Sequence, residues 1–143
     1  MNRVMTNLRL LAILLSLFFL LTCSSPKKIT SIDIEGSEFW NSKGIDFGQS
    51  NNKLAYDAFE VAIKTNPNNY LAWYNKALIL ELRAEYDKAL IAINQSLKIN
   101  PNSYEKAWNT KATILIHSNK DLLALDAINQ ALIINKRLCR SLV

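Results

Sequence analysis

Between Glu38 and Arg137 the chain alternates short apolar stripes with polar turns at a regular interval. In residues 86–100, Ala89, Leu90, Ile93 and Leu97 fall three or four apart, the spacing that puts an apolar stripe on one face of a helix. Asp87 stands in the first turn of that helix and Lys98 in its last, each the sign favoured there by the helix dipole. Pro101 ends it, because the ring removes an N–H donor and pushes Asn100 out of the helical region. A second stripe, Trp73, Ala77, Leu78 and Leu82, predicts a helix over about 70–82. Only Arg83-Ala84-Glu85 joins the two, so they must lie antiparallel and adjacent.

This pair is written three times. Asn66-Pro67-Asn68 recurs as Asn100-Pro101-Asn102, and Ala92-Ile93-Asn94-Gln95 as Ala127-Ile128-Asn129-Gln130, shifts of 34 and 35 residues. Trp40, Trp73 and Trp108 recur at shifts of 33 and 35, and both Ala55, Ala89, Ala124 and Phe59, Ile93, Ile128 at 34 and 35. Gly44, Ala77 and Ala112 hold one place in the first helices, where only a small side chain lets two helices approach to ~8 Å. Recurrence at the repeat period makes the three tryptophans core residues.

The order Trp, Gly/Ala, Phe/Leu, Ala, Phe/Ile, Ala/Ser and Pro resembles the tetratricopeptide repeat. Trp40, Gly44, Phe47, Ala55, Phe59, Ala62 and Pro67 carry it in the first unit. Trp73, Ala77, Leu80, Tyr86, Ala89, Ile93, Ser96 and Pro101 follow in the second. Trp108, Ala112, Leu115, Ala124, Ile128 and Ala131 carry it in the third, where Lys136 replaces the closing proline. The resemblance implies an all-α fold: a short right-handed solenoid of three helix–turn–helix units, about 37–69, 70–103 and 104–138, with a tail over 139–143. No obvious capping helix follows the third unit. Unless the tail from Lys136 to Val143 extends the last helix and covers its outer face, Leu122, Leu125 and Ile133 leave an apolar end surface inviting a partner or a second copy.

The amino terminus has a different pattern. Arg3 and Arg9 precede an apolar run of 12 residues, Leu10 to Leu21, interrupted only by Ser16, which matches a secretory signal and falls short of the ~20 a spanning helix needs. Leu20-Leu21-Thr22-Cys23 resembles a bacterial lipobox, although Thr22 departs from the usual small residue. That resemblance implies cleavage after residue 22 and acylation of Cys23. Residues 23–36 would then be the lipidated cysteine and a flexible tether, in which Lys27 and Lys28 either touch anionic lipid headgroups or simply solubilise the tether. Ser24 gives a mild preference for the outer membrane of a bacterial envelope. A lipidated Cys23 leaves Cys139 without an intramolecular partner, and burial is its expected state.

Composition removes other classes. Seventeen basic against twelve acidic residues give +5, and only +3 without Arg3 and Arg9, too weak and scattered for nucleic acid. Two cysteines, one histidine and three glycines exclude a disulfide scaffold, a His/Cys metal cage and a Gly-rich phosphate loop as the theme. His117 has no second ligand near it in sequence, and Glu81, Glu85 and Asp87 read as a solvated turn. No catalytic residue, cofactor or metal is expected.

By analogy with the repeat family, the first helices line a concave groove. The resemblance places Glu38, Asn41 and Ile45 there from the first unit, and Leu71, Tyr74, Leu78 and Glu81 from the second. Lys106, Asn109, Thr113 and Ile116 come from the third. Asn75 and Lys106 match the basic and amide set with which some family members clamp a terminal carboxylate, but Ile45 and Thr110 replace key members, which argues against such a clamp. The expected function is a lipid-anchored interaction module holding part of another envelope protein, in Asn41, Tyr74, Asn75, Leu78, Lys106, Asn109 and Thr113. The alternatives are a self-associating surface lipoprotein, or a truncated repeat paralogue without a dedicated ligand.

Overall fold

The computed structural model describes residues 29–101 and 105–141. The signal segment, Cys23 and the first part of the tether lie outside the described residues, as does the side chain of Cys139. Among the described residues six helices follow one another: α1 (Ser31–Gly48), α2 (Asn52–Thr65), α3 (Tyr70–Leu82), α4 (Tyr86–Ile99), α5 (Glu105–His117) and α6 (Asp121–Ser141). Each odd helix packs on the even helix after it, each even helix packs on the next odd one, and α1 touches α3 and α3 touches α5. The result is an all-α solenoid of three helix pairs.

Local chemistry sets the boundaries. Thr30 caps α1 in a reciprocal box, its hydroxyl taking the Asp33 N–H at 3.3 Å while the Asp33 carboxylate takes the Thr30 N–H at 3.0 Å. The helix therefore starts inside the stretch read as tether, six residues before residue 37. Asn51 caps α2 through Lys53 and Leu54, and Asn69 caps α3 through Ala72. The turns from α3 to α4 and from α5 to α6 are copies: Ala84 and Asn119 both take left-handed backbone, φ 57° and 56°. In each, the following N–H reaches back five residues, Glu85 to Leu80 and Lys120 to Leu115, both at 2.9 Å.

The core is a column of small residues with larger ones between them. Ala55, Ala89 and Ala124 are buried, and so are Gly44, Ala77 and Ala112. A Cβ on Gly44 would stand 2.4 Å from the Phe59 ring, so the first unit pairs glycine with phenylalanine where the others pair alanine with isoleucine. Trp73 and Trp108 flank the core half-buried, each indole N–H donating to a proline carbonyl, Pro67 at 2.9 Å and Pro101 at 3.3 Å. Trp40 departs from the expected core position and is exposed, because no described helix precedes α1 to cover it. The tail continues α6 as helix to Ser141. Leu122, Leu125 and Ile133 are exposed as anticipated, together with Ile128 and Leu132.

Candidate peptide-binding groove

The first helices α1, α3 and α5 stand side by side, and polar contacts cross from each to the next. The Asn75 side-chain amide donates to Asn41 Oδ1 at 2.9 Å, and Thr110 Oγ1 donates to the Tyr74 hydroxyl at 3.5 Å, a weaker contact. Further along, His117 Nδ1 lies 3.5 Å from Glu81 Oε1, and the Tyr86 ring lies 5.6 Å from the imidazole. Each rung joins one residue to another 34 or 36 positions on, so the ladder comes from the repeat itself. Burial raises the Glu81 carboxyl above its ordinary value, and His117 opposes that shift.

The structure thus brings Asn41, Tyr74 and Asn75 into this ladder. Asn41 is buried and spends its carbonyl oxygen on Asn75, which leaves less of it for a ligand than the sequence suggests. Leu71 and Leu78 are half-buried, while Glu38, Ile45, Lys106, Asn109, Thr113 and Ile116 are exposed. The Thr113 hydroxyl turns back to the Asn109 carbonyl at 3.1 Å, one helical turn earlier. The remaining surface is amide and aliphatic, with Lys106 as a cation on the third unit.

Several functional contacts were not read from the sequence. Ser37, fully buried, donates to the Ala62 carbonyl and accepts from the Asn69 amide, both at 2.8 Å, tying the first unit to the cap of the second. Lys76 pairs with Glu60 and stands over the Trp73 and Tyr56 rings, 5.1 and 5.4 Å from their centroids. A usable signal existed: a lysine follows each tryptophan by three residues, at Lys43, Lys76 and Lys111. Among the described residues no group of three or more metal-ligating side chains comes together, and no helix is long and apolar enough to cross a membrane.

Residues 58–91 match the tetratricopeptide repeat. The sequence is 29% identical over 79 residues to the uncharacterized protein MJ0572 of Methanocaldococcus jannaschii, covering 54% of this chain and 92% of that one. The fold is similar to the crystal structure of MamA, with a TM-score of 0.69 at 22% identity, covering 73% of this chain and 61% of that one. This chain therefore spans about three fifths of the MamA chain. It is also similar to the second tetratricopeptide domain of Spaghetti (RPAP3), solved with the HSP90 peptide SRMEEVD, with a TM-score of 0.68 at 17% identity. That match covers 71% of this chain and 94% of the domain. The fold is that of a tetratricopeptide solenoid.

Proposed function

We propose that this chain is a protein-interaction module that holds a segment of another protein against α1, α3 and α5, and that Cys23 anchors it by lipid to a bacterial envelope. The ladder across the three first helices carries the groove reading. It fixes their spacing before any ligand arrives, so little ordering cost falls on binding. Tyr74 and Leu78 offer one apolar anchor, Ile116 a second, and Asn109 and Lys106 a polar edge. The second tetratricopeptide domain of RPAP3, solved bound to an HSP90 peptide, supports this reading by its similar fold. The anchor reading rests on the run Leu10 to Leu21 ending at Thr22-Cys23. A two-dimensional layer would raise the effective concentration of the module against membrane partners.

In-cell crosslinking of tagged full-length protein, beside a Tyr74→Ala/Leu78→Ala double variant, tests the groove. A partner captured by the parent and lost from the folded variant supports it; capture unchanged by the variant contradicts it. Labelling with a palmitate analogue, lost in Cys23→Ser, tests the anchor. The exposed apolar face of α6 favours a second reading, self-association of the same lipoprotein, which a concentration-dependent size would support.

A further inference from the structure

The junction between the second and third units contains a cavity more than twice the volume of the one at the preceding junction. Where α2, α3 and α4 meet, the equivalent cavity is about 150 Å³ and is lined by Tyr56, Trp73, Lys76, Leu80, Lys88 and Ile91. Where α4, α5 and α6 meet, it is about 400 Å³, and Leu90, Trp108, Lys111, Leu115, Leu123 and Asp126 are among its walls. The two sites are in register: Trp108 repeats Trp73, Lys111 repeats Lys76, and Leu115 repeats Leu80.

Four positions differ between the two sites. Tyr56 becomes Leu90, Lys88 becomes Leu123, Ile91 becomes Asp126, and Glu60 becomes Asn94. The last removes the carboxylate that neutralises Lys76. Lys111 keeps the ring, its ammonium 5.1 Å from the Trp108 centroid, but no described carboxylate lies within ion-pair distance. Asp126 is on the wall but too far to pair, and Lys120 is already engaged by Asp87 at 3.2 Å. Burial alone pulls the Lys111 ammonium below its ordinary value, with no neighbouring charge compensating it. A half-buried cation beside apolar walls is an incomplete ion pair, and this chain supplies the missing half one unit earlier.

We propose that the cavity between α4, α5 and α6 binds a carboxylate carried on an apolar stem, with Lys111 as the cation and Trp108, Leu90 and Leu123 against the stem. This site is separate from the groove and does not depend on it. The carboxylate can belong to a free organic acid or to a glutamate side chain of a bound segment.

The test is an NMR titration of purified full-length protein, read at the Trp108 indole N–H and the Lys111 amide. One probe pair is 4-methylpentanoate against 4-methylpentanamide. The other is a capped Ala-Glu-Leu-Ala tetrapeptide against its Gln analogue. In at least one pair the carboxylate should bind tenfold or more tightly than its neutral isostere, and the pair that responds names the source. Asn94→Glu restores the acid at the Glu60 register; it should abolish that preference while holding or raising Tm, so the loss cannot be ascribed to unfolding. Lys111→Met should bind acid and amide equally. No carboxylate preference in either pair, or a preference surviving both variants, overturns the proposal.

Discussion

The even helices α4 and α6 share Ala-Ile-Asn-Gln and the leucine two residues after it in the same register, and the isoleucine and leucine meet opposite fates. Ile93 and Leu97 on α4 are covered by α5, Leu97 at 7% exposure; their counterparts Ile128 and Leu132 on α6 are open to solvent, Leu132 at 61%. The side chains are nearly identical, so burial here is decided by whether a next helix arrives. The other end of the stack has lost the matching face. Ala72 and Ala107, which let α3 and α5 settle on the preceding helix, are replaced in α1 by Phe39, and Ile79 and Ile114 by Asp46. The α1 face is therefore built as a beginning, whereas the α6 face keeps the form of a surface still to be covered. Head-to-tail stacking of copies would set Phe39 and Asp46 where alanine and isoleucine belong.

Truncating both leucines separates the two faces most strongly. Leu97→Ala should cost about 2–5 kcal/mol in urea unfolding and Leu132→Ala under ~1 kcal/mol. Equal costs would mean that α6 is covered in solution. Gly44→Ala should cost about 1–3 kcal/mol, because its methyl group runs into the Phe59 ring. Adding Phe59→Ile, which copies the pairing of the second unit, should recover most of that loss in the same assay.

The two lysines should respond with opposite signs. Lys76→Met strands Glu60 and should lower Tm. Lys111→Met removes a charge that folding desolvates without a partner, so it should raise Tm at neutral pH. Because folding depresses the Lys111 value, its penalty is complete at neutral pH and fades as the solution passes through its folded value toward 10.5. The stabilisation by Lys111→Met should shrink with it in melts at rising pH. The smallest effect is at the turn: Ala84→Gly should gain up to about 1 kcal/mol by releasing a left-handed alanine, read from the shift in urea midpoint.

Much of this was legible in the sequence, because the fold repeats a rule that spacing records. Alternating small and large residues at intervals of 33 to 35 positions fixed the helix pairs and the column of Gly44, Ala77 and Ala112. The start of α1 was missed because Thr30 and Asp33 are polar residues in a Ser- and Lys-rich stretch, and only their reciprocal hydrogen bonds turn them into a cap. The groove was half legible. Asn41, Tyr74 and Asn75 were named, but the pairing of Asn41 with Asn75, and of Tyr74 with Thr110, depends on how one unit is offset against the next. Trp40 was misplaced because the repeat pattern does not say which unit comes first. The difference between Lys76 and Lys111 was written in the change from Glu60 to Asn94, and it acquires meaning only once both junctions are seen in space.

The claim that α6 presents an uncovered copy of the α4 face can be tested by supplying the cover. Asn66, Asn100 and Asn135 close the three units in register, so residues 136–143 can be replaced by a second copy of Pro67 to Asn100. If the account is right, the added unit docks: helicity rises in proportion, unfolding stays a single transition with a higher Tm, and the amides of residues 125–134 become more protected from exchange. An added segment that leaves Tm and those amides unchanged, and is removed by brief proteolysis, would contradict it.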